Sequence, residues 1–282
     1  MYQAVAYNKR TNIVHVWDDK KGHVQIKYKP YAYRKATYGR LVALDGQTVE
    51  KVYNPEGQEG LYEADINPEM RTLIDLYTDS DEASVGHRTL FIDIEVDIAS
   101  GFPTPEEAQN EVTSIAIYDE AGDQRFVWIL DKDEMVDNVQ KPGYEVVSCR
   151  DEYSLLSKFL HKYYEIQPTI ITGWNIDFFD IPYLYNRMVK ILGEKQARSL
   201  SPINDVIWLK HRNRYRISGV SCLDYMALYK NFTYSQESSY SLEAISQKEL
   251  GKGKMKYEGS LDDLMRNDIQ GYIDYNMNDV DL

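Results

Sequence analysis

Short apolar–polar alternations fill residues 1 to about 85. "NIVHVWDD", "HVQIKYKPY" and "RLVALDG" change side at nearly every residue and are separated by Gly and Asp. That pattern predicts short half-buried strands joined by turns. "YNPEGQEGLYEADINPE" is polar and turn-rich, and a helix-like piece follows over Pro68–Tyr77. The charged, Ser- and Gly-bearing "TDSDEASVGHR" then marks a domain boundary, giving a β-rich N-terminal domain over 1–87 and a second domain over 88–282. From Thr89 the runs lengthen. "TLFIDIEVDI", "EVTSIAIYDE" and "QRFVWILD" are three apolar strands in close succession, the last two joined by a tight turn at "AGD", which predicts an antiparallel meander. A helix over Glu152–Tyr164, a buried strand at 169–175 and a helix from about Ile181 to Leu192 come next. "VIWLKHRNRYRISGV" reads as a hairpin over 206–220 with a basic tip, while "SYSLEAISQKEL" and "NDIQGYIDYNMNDVDL" read as helices. A meander followed by alternating helices and strands predicts an α/β fold built on a mixed sheet. There are no internal repeats and no low-complexity segment.

One stretch breaks the apolar logic. In "FIDIEV" (91–96), Ile92, Ile94 and Val96 share one face of a strand, which leaves Asp93 and Glu95 together on the other. Like charges at i and i+2 repel, and neither residue type favours a strand. Either this face is solvated, as one face of an antiparallel sheet often is, or a cation neutralises the pair. Two further carboxylates bear on the choice. Asp180 ends "GWNIDFFD" and stands two residues before Pro182, at a helix N-terminus, where Asp is also a common cap. Asp279 lies four residues after Tyr275, so a helix presents phenol and carboxylate on one face, within a generally acidic segment.

The bulk numbers narrow the classes. The chain has 282 residues, 43% hydrophobic and 27% charged, as in an ordinary globular protein of one or two domains. No apolar run approaches the roughly 20 residues of a membrane helix, and "MYQAVAYNKR" has no signal-peptide core. Two cysteines, Cys149 and Cys222, suggest neither a disulfide framework nor a zinc cluster, and a reducing cytoplasm, of a bacterial or virus-infected cell, is expected. The net charge of −13 argues against binding nucleic acid through general electrostatics. Contact with a polyanion must therefore be local, or carried partly by metal ions.

In sequence order the carboxylates resemble those of the 3′–5′ exonucleases of the ribonuclease-H-like fold that use an Asp-Glu-Asp-Asp set. Tyr275, in place of a histidine, puts them in the tyrosine subclass. Longer stretches sharpen the resemblance. "FIDIEVDIASGFPTP", "TIITGWNIDFFDIPYLYNRM", "LDYMALYKNF", "SYSLEAI", "GKMKYEG" and "YIDYNMNDVD" are similar to the exonuclease motifs of family B replicative DNA polymerases, with those of T-even phages as the nearest type. "IKYKPYAY" is similar to that family's N-terminal domain. The resemblance is strong over 88–282 and weaker before it.

It implies that Asp93, Glu95, Asp180 and Asp279 hold two divalent ions. Crowded carboxylates need cations to stay ionised, and all-oxygen ligands favour Mg²⁺ or Mn²⁺. Two such ions, about 4 Å apart, clamp the attacking and leaving oxygens of a phosphoryl displacement. Tyr275 is implied as a positioner of the attacking water rather than a base, given a phenol pKa near 10. For DNA, the resemblance assigns Phe102 to stacking on terminal bases, with core packing as the alternative. It places Asn175 near the scissile end and sets Ser241 and Leu242 against the single strand. It brings Lys254 to a phosphate, with a solvated charge as the alternative, and makes 206–220 a strand-separating hairpin tipped by Lys210, Arg212, Arg214 and Arg216. The implied substrate is single-stranded DNA or a primer 3′ end.

The family continues into palm, fingers and thumb. No DTDS polymerase motif occurs here, and the chain stops three residues after Asp279. The expectation is a truncated chain or one piece of a split polymerase, without DNA synthesis of its own and with the polymerase segment as a possible partner. Two other readings stay open: a 3′ exoribonuclease, since metal chemistry does not read the sugar, and a nucleic-acid-binding or assembly module.

Overall fold

The computed structural model describes residues 1–98, 101–136, 139–141 and 143–282, the backbone alone for 139–141. The chain divides into two compact units, Met1–Gly86 and His87–Leu282.

The first unit is β-rich. Strands β1 (Tyr2–Asn8), β2 (Ile13–Asp18) and β3 (Gly22–Lys27) form an antiparallel sheet in that order. Strands β4 (Tyr31–Lys35), β5 (Leu41–Val42) and β6 (Thr48–Tyr53) form a second, in the order β4-β6-β5. "HVQIKYKPY" is thus not one strand but parts of two, broken where Pro30 offers no backbone N–H. Helix α1 (Pro68–Tyr77) begins where the side chain of Asn67 accepts the Met70 N–H at 2.8 Å, with Pro68 in its first turn. It is fastened to the first sheet by the Tyr77 hydroxyl, which donates to Asp18 at 2.7 Å.

The second unit is built on seven strands: β7 (Thr89–Val96), β8 (Val112–Asp119), β9 (Gln124–Leu130), β10 (Val139–Lys141), β11 (Tyr144–Cys149), β12 (Ile170–Gly173) and, later in the chain, Ser221–Asp224. Between β12 and that last strand lies a separate hairpin, β13 (Val206–Leu209) with β14 (Arg214–Ile217), so the last sheet strand is β15. The sheet order is β10-β11-β9-β8-β7-β12-β15. The meander β7-β8-β9 is antiparallel, while β12 runs parallel to both β7 and β15. This is the mixed sheet of a ribonuclease-H-like α/β fold, with a small β-rich unit before it. Strands β10 and β11 were not expected from the sequence.

Helices cover both faces. They are α2 (Glu152–Ile166), α3 (Asp180–Ile191), α4 (Glu194–Ala197), α5 (Tyr225–Phe232), α6 (Leu242–Leu250), α7 (Leu261–Asn267) and α8 (Ile269–Asp281). On one face Leu90, Ile92, Ile94 and Val96 of β7 pack with Leu155, Leu156 and Phe159 of α2 and with Ile181, Leu184 and Met188 of α3. On the other, Ala116, Val127, Ile129 and Val146 pack with Tyr272, Ile273 and Met277 of α8. In the sheet register Asp93 lies opposite Ala116 and Glu95 opposite Ser114, so the acidic face of β7 is the face that α8 covers.

Strand β12 ends at Gly173, two residues sooner than the sequence suggested. A Cβ there would stand 2.4 Å from the Ile92 carbonyl oxygen and 2.7 Å from Ile176 Cγ2. Both are inside contact distance, and a strand carbonyl cannot swing away. The Gly173→Ala protein should lose about 1–3 kcal/mol of stability, read as a lower urea midpoint with an unchanged slope.

Candidate active site

The site is built from the acidic face of β7, the start of α3 and the last turns of α8. Asp93, Glu95 and Asp279 each offer a carboxylate oxygen within 4.8 Å of the others. Among the described residues no other group of this kind forms. Asp279 is 7% exposed, so it stands on a covered helix face rather than a solvated one.

Asp180 opens α3, but not as its cap. Strand β12 pairs with β7 only as far as Thr172 opposite Phe91. Beyond that point the Ile94 N–H has no strand neighbour on this side, and a buried donor needs an acceptor. Asp180 Oδ1 supplies it at 3.1 Å. Its charge reaches Asp93 as well.

Burial sets the electrostatics. It holds Asp93 well above the usual carboxylate range, and the charges of Asp180, Glu95 and Asp279 add to the effect. Burial, with the Asp279 charge, pushes Glu95 up to about 8. Asp180 is pushed up to about 7 by burial, against the pull of the Ile94 N–H. Asp279 is raised by burial in spite of Lys254. One cation is present within the group. Lys254 Nζ lies 2.6 Å from Asp279 Oδ2 and donates to the Tyr275 hydroxyl at 3.1 Å. Burial works against its charge, but Asp279 and Tyr275 outweigh it and raise its pKa. Lys254 is therefore not a solvated charge. The Tyr275 phenol is raised too, by burial first and then by Asp279 and Glu95, and stays protonated at neutral pH.

Asp279 Oδ1 is buried and has no hydrogen-bond partner. A buried carboxylate oxygen left unpaired is costly. With this orphan oxygen and an all-oxygen donor set, the residues fit a hard divalent cation.

Asn276 was not picked out from the sequence. Fully buried, it donates from Nδ2 to Asp93 Oδ2 at 2.7 Å and accepts from Ser114 Oγ at 2.7 Å. Its signal was spacing: Asn276 and Tyr275 precede Asp279 by three and four residues, which shares one helix face. It fixes the rotamer of Asp93 from the helix that covers this face of the sheet.

The residues expected to meet DNA have different settings. Phe102 is 90% exposed, which excludes core packing. Asn175 takes a left-handed φ of 64° in the turn after β12. Ser241 caps α6, accepting the Ala244 N–H at 3.2 Å, whereas Leu242 is buried. At the β13–β14 hairpin, Lys210 and Arg212 are exposed. Arg214 instead pairs with the buried Asp177, whose N–H donates to Asp224 at 3.1 Å, and Arg216 lies 3.9 Å from Asp205. The sequence showed a row of cations but not the acids that face two of them.

An α/β unit with carboxylates converging on its central strand is the class that this geometry defines. A model of the DNA polymerase family B exonuclease domain matches residues 61–245. The chain belongs to this family. It is similar to a DNA-directed DNA polymerase of Escherichia phage RB69, with 35% identity over 220 residues, 68% of this chain and 24% of that one. A DNA-directed DNA polymerase of Enterobacteria phage T4 is 34% identical over 217 residues, 67% of this chain and 24% of that one. DNA polymerase 1 of Sulfurisphaera ohwakuensis is 29% identical over 202 residues, 68% of this chain and 21% of that one. The chain thus spans about a quarter of the length of the curated relatives it matches. Lys254, Tyr275 and Asp279 lie beyond the stretch matched by the family model, and the fold brings them to the site. Among the described residues no helix is long and apolar enough to cross a membrane.

Three outcomes are expected. In EDTA-treated protein, Glu95 and Asp180 hold protons at a pH where the unfolded chain has lost them, so stability should rise as pH falls from about 8 to about 6. Mg²⁺ should raise the melting temperature more at the upper end of that window, where protons compete least; scanning calorimetry reads both. Asn276→Ala should keep the fold and weaken divalent-ion affinity about 10- to 100-fold, measured by titration calorimetry.

Proposed function

We propose that the chain is a proofreading-type 3′–5′ exonuclease that releases nucleoside monophosphates from single-stranded or frayed DNA. One observation carries the reading: three carboxylates from two elements converge within 4.8 Å, with Asp180 alongside, and desolvation with the neighbouring charges holds Asp93 well above the usual carboxylate range. Asp93, Glu95, Asp180 and Asp279 would hold two Mg²⁺ or Mn²⁺ ions. Bound there, such ions supply charge neutralisation and Lewis acidity to a phosphodiester undergoing in-line hydrolysis.

The protein's own groups have separable roles in this reading. Asn276 and the Ile94 N–H orient Asp93 and Asp180. Tyr275, protonated, positions a water through its hydroxyl instead of removing its proton. Lys254 holds Tyr275 and Asp279 in register and presents a cation to phosphate. Phe102 offers an aromatic face to a base, and such stacking tolerates any base. Asn175 and Ser241 would meet the strand, Leu242 anchors the start of α6 from the core, and Arg212 gives the hairpin tip a phosphate contact. Arg214 acts through Asp177, holding the hairpin in place. We take 88–282 as the exonuclease domain and 1–87 as an N-terminal domain. Palm, fingers and thumb segments, as in the longer relatives, would be its partner.

The test is digestion of a 5′-labelled single-stranded DNA oligomer with Mg²⁺, beside the Asp93→Ala/Glu95→Ala protein. A ladder shortening from the 3′ end, absent in EDTA and reduced at least about 10³-fold in the variant, is expected for loss of metal ligands. Equal digestion by the double variant would refute the assignment. Equal rates on a matched RNA oligomer would refute the DNA preference.

A further inference from the structure

The loop between β7 and β8 bears Phe102, and the β13–β14 hairpin bears Lys210 and Arg212. They come from distant parts of the chain, yet both are fastened to one face of α3. Tyr183 Oη donates to the Asn110 carbonyl at 2.9 Å and accepts the Asn110 N–H at 3.0 Å. Arg187 donates to the carbonyls of Gln109 and Ala108 at 2.6 and 3.2 Å, and its guanidinium is locked on Glu152. Lys190 donates to the Glu107 carbonyl. Positions 183, 187 and 190 share a helix face with 186, and Asn186 Nδ2 donates to the Pro105 carbonyl at 2.8 Å. Ala108, with φ at 39°, is a strained non-glycine residue held within this grip.

Asn186 differs from the other three in also reaching the hairpin. Its Oδ1 accepts from the Tyr215 hydroxyl of β14 at 2.7 Å. The Pro105 carbonyl can only accept, so the amide nitrogen must face it and the amide oxygen must face Tyr215. One short side chain thus fixes the loop and the hairpin at once. Tyr215 is itself held by ring contacts with Tyr185 and Trp208, at 4.6 and 4.9 Å. The same helix opens with Asp180, so its N-terminus touches the carboxylate centre while its flank sets the two exposed arms.

We infer that Asn186 is a positioning residue that couples the Phe102 loop to the β13–β14 hairpin, so that a single strand is gripped by the two as one unit. The kinetic consequence rests on the exonuclease reading above; the mechanical coupling does not. Hydrogen exchange read by mass spectrometry should show faster exchange over both 101–111 and 206–217 in Asn186→Ala. Tyr215→Phe, which removes one hydroxyl and keeps the ring, should loosen the hairpin and, through Asn186, the loop. On a 5′-labelled single-stranded DNA oligomer with Mg²⁺, Asn186→Ala should raise KM about tenfold, the loss of two neutral hydrogen bonds, with kcat within about twofold. Adding Asn186→Ala to Phe102→Ala should raise KM by much less than tenfold, since the two act on one grip. Faster exchange confined to one segment in both variants would overturn the coupling, as would unchanged exchange. Full additivity with Phe102→Ala would overturn the positioning role. If Asn186→Ala fails to fold, Tyr215→Phe carries the same exchange test. If the wild-type chain digests no DNA, the exonuclease reading fails while the exchange data still decide the coupling.

Discussion

Strand β7 carries two incompatible demands on its two faces. Ile92, Ile94 and Val96 must be buried to complete the core under α2 and α3, and a period of two then forces Asp93 and Glu95 to the opposite face. That face cannot be left to water, because Ala116, Val127 and Ile129 beside it are apolar and are covered by α8. The carboxylates are dried by the burial that stabilises their neighbours. Everything chemical about the site follows from this geometry. A one-residue slip of β7 would place both acids in the core and the isoleucines at the site.

The neighbouring groups relieve that conflict only in part. Asn276 satisfies one oxygen of Asp93, the Ile94 N–H satisfies one of Asp180, and Lys254 satisfies one of Asp279. Each is a single contact to one oxygen, and Asp279 Oδ1 receives none. One ammonium cannot neutralise four acids: burial raises all four pKa values, and the charges of the other acids add to it at Asp93 and Glu95. A structural ion-pair network would have spread enough cations to close the account. This one leaves four acids with a single ammonium, a balance unlike that of a buried salt-bridge cluster.

The parts of this arrangement legible in the sequence were those governed by local periodicity. The alternation of β7 exposed its two faces, and the helix-like piece from Pro68 to Tyr77 was α1. The separation of Tyr275 from Asp279 placed both on one helix face. What stayed hidden depended on contacts distant in sequence. Asn276 meets Asp93 across 183 positions. Arg214 reads as one of four hairpin cations until the fold sets Asp177 against it. Strands β10 and β11 follow a charged stretch, and β11 gains its place by parallel pairing with β9, which no alternation announces. Leu242 sits in a motif assigned to the nucleic acid, yet its side chain is buried where α6 packs.

The acidity of the whole chain completes the physical picture. At a net charge of −13 a nucleic acid is not drawn in by a broad basic field. Cations are placed one at a time instead: Lys254 at the centre, and Lys210 and Arg212 at the hairpin tip. In the proposed reading an exposed aromatic side chain, Phe102, would add an attraction that does not depend on charge. Such sparse contacts hold a flexible strand only if their spacing is fixed. The structure invests buried groups in that spacing: Glu152 is 5% exposed and Arg187 8%, and both serve the loop rather than the reacting centre. A buried ion pair adds little to net stability but can specify one conformation over others. Here what it specifies is the path of the chain that carries Phe102, and it does so from α3, the same helix that brings Asp180 to the carboxylates.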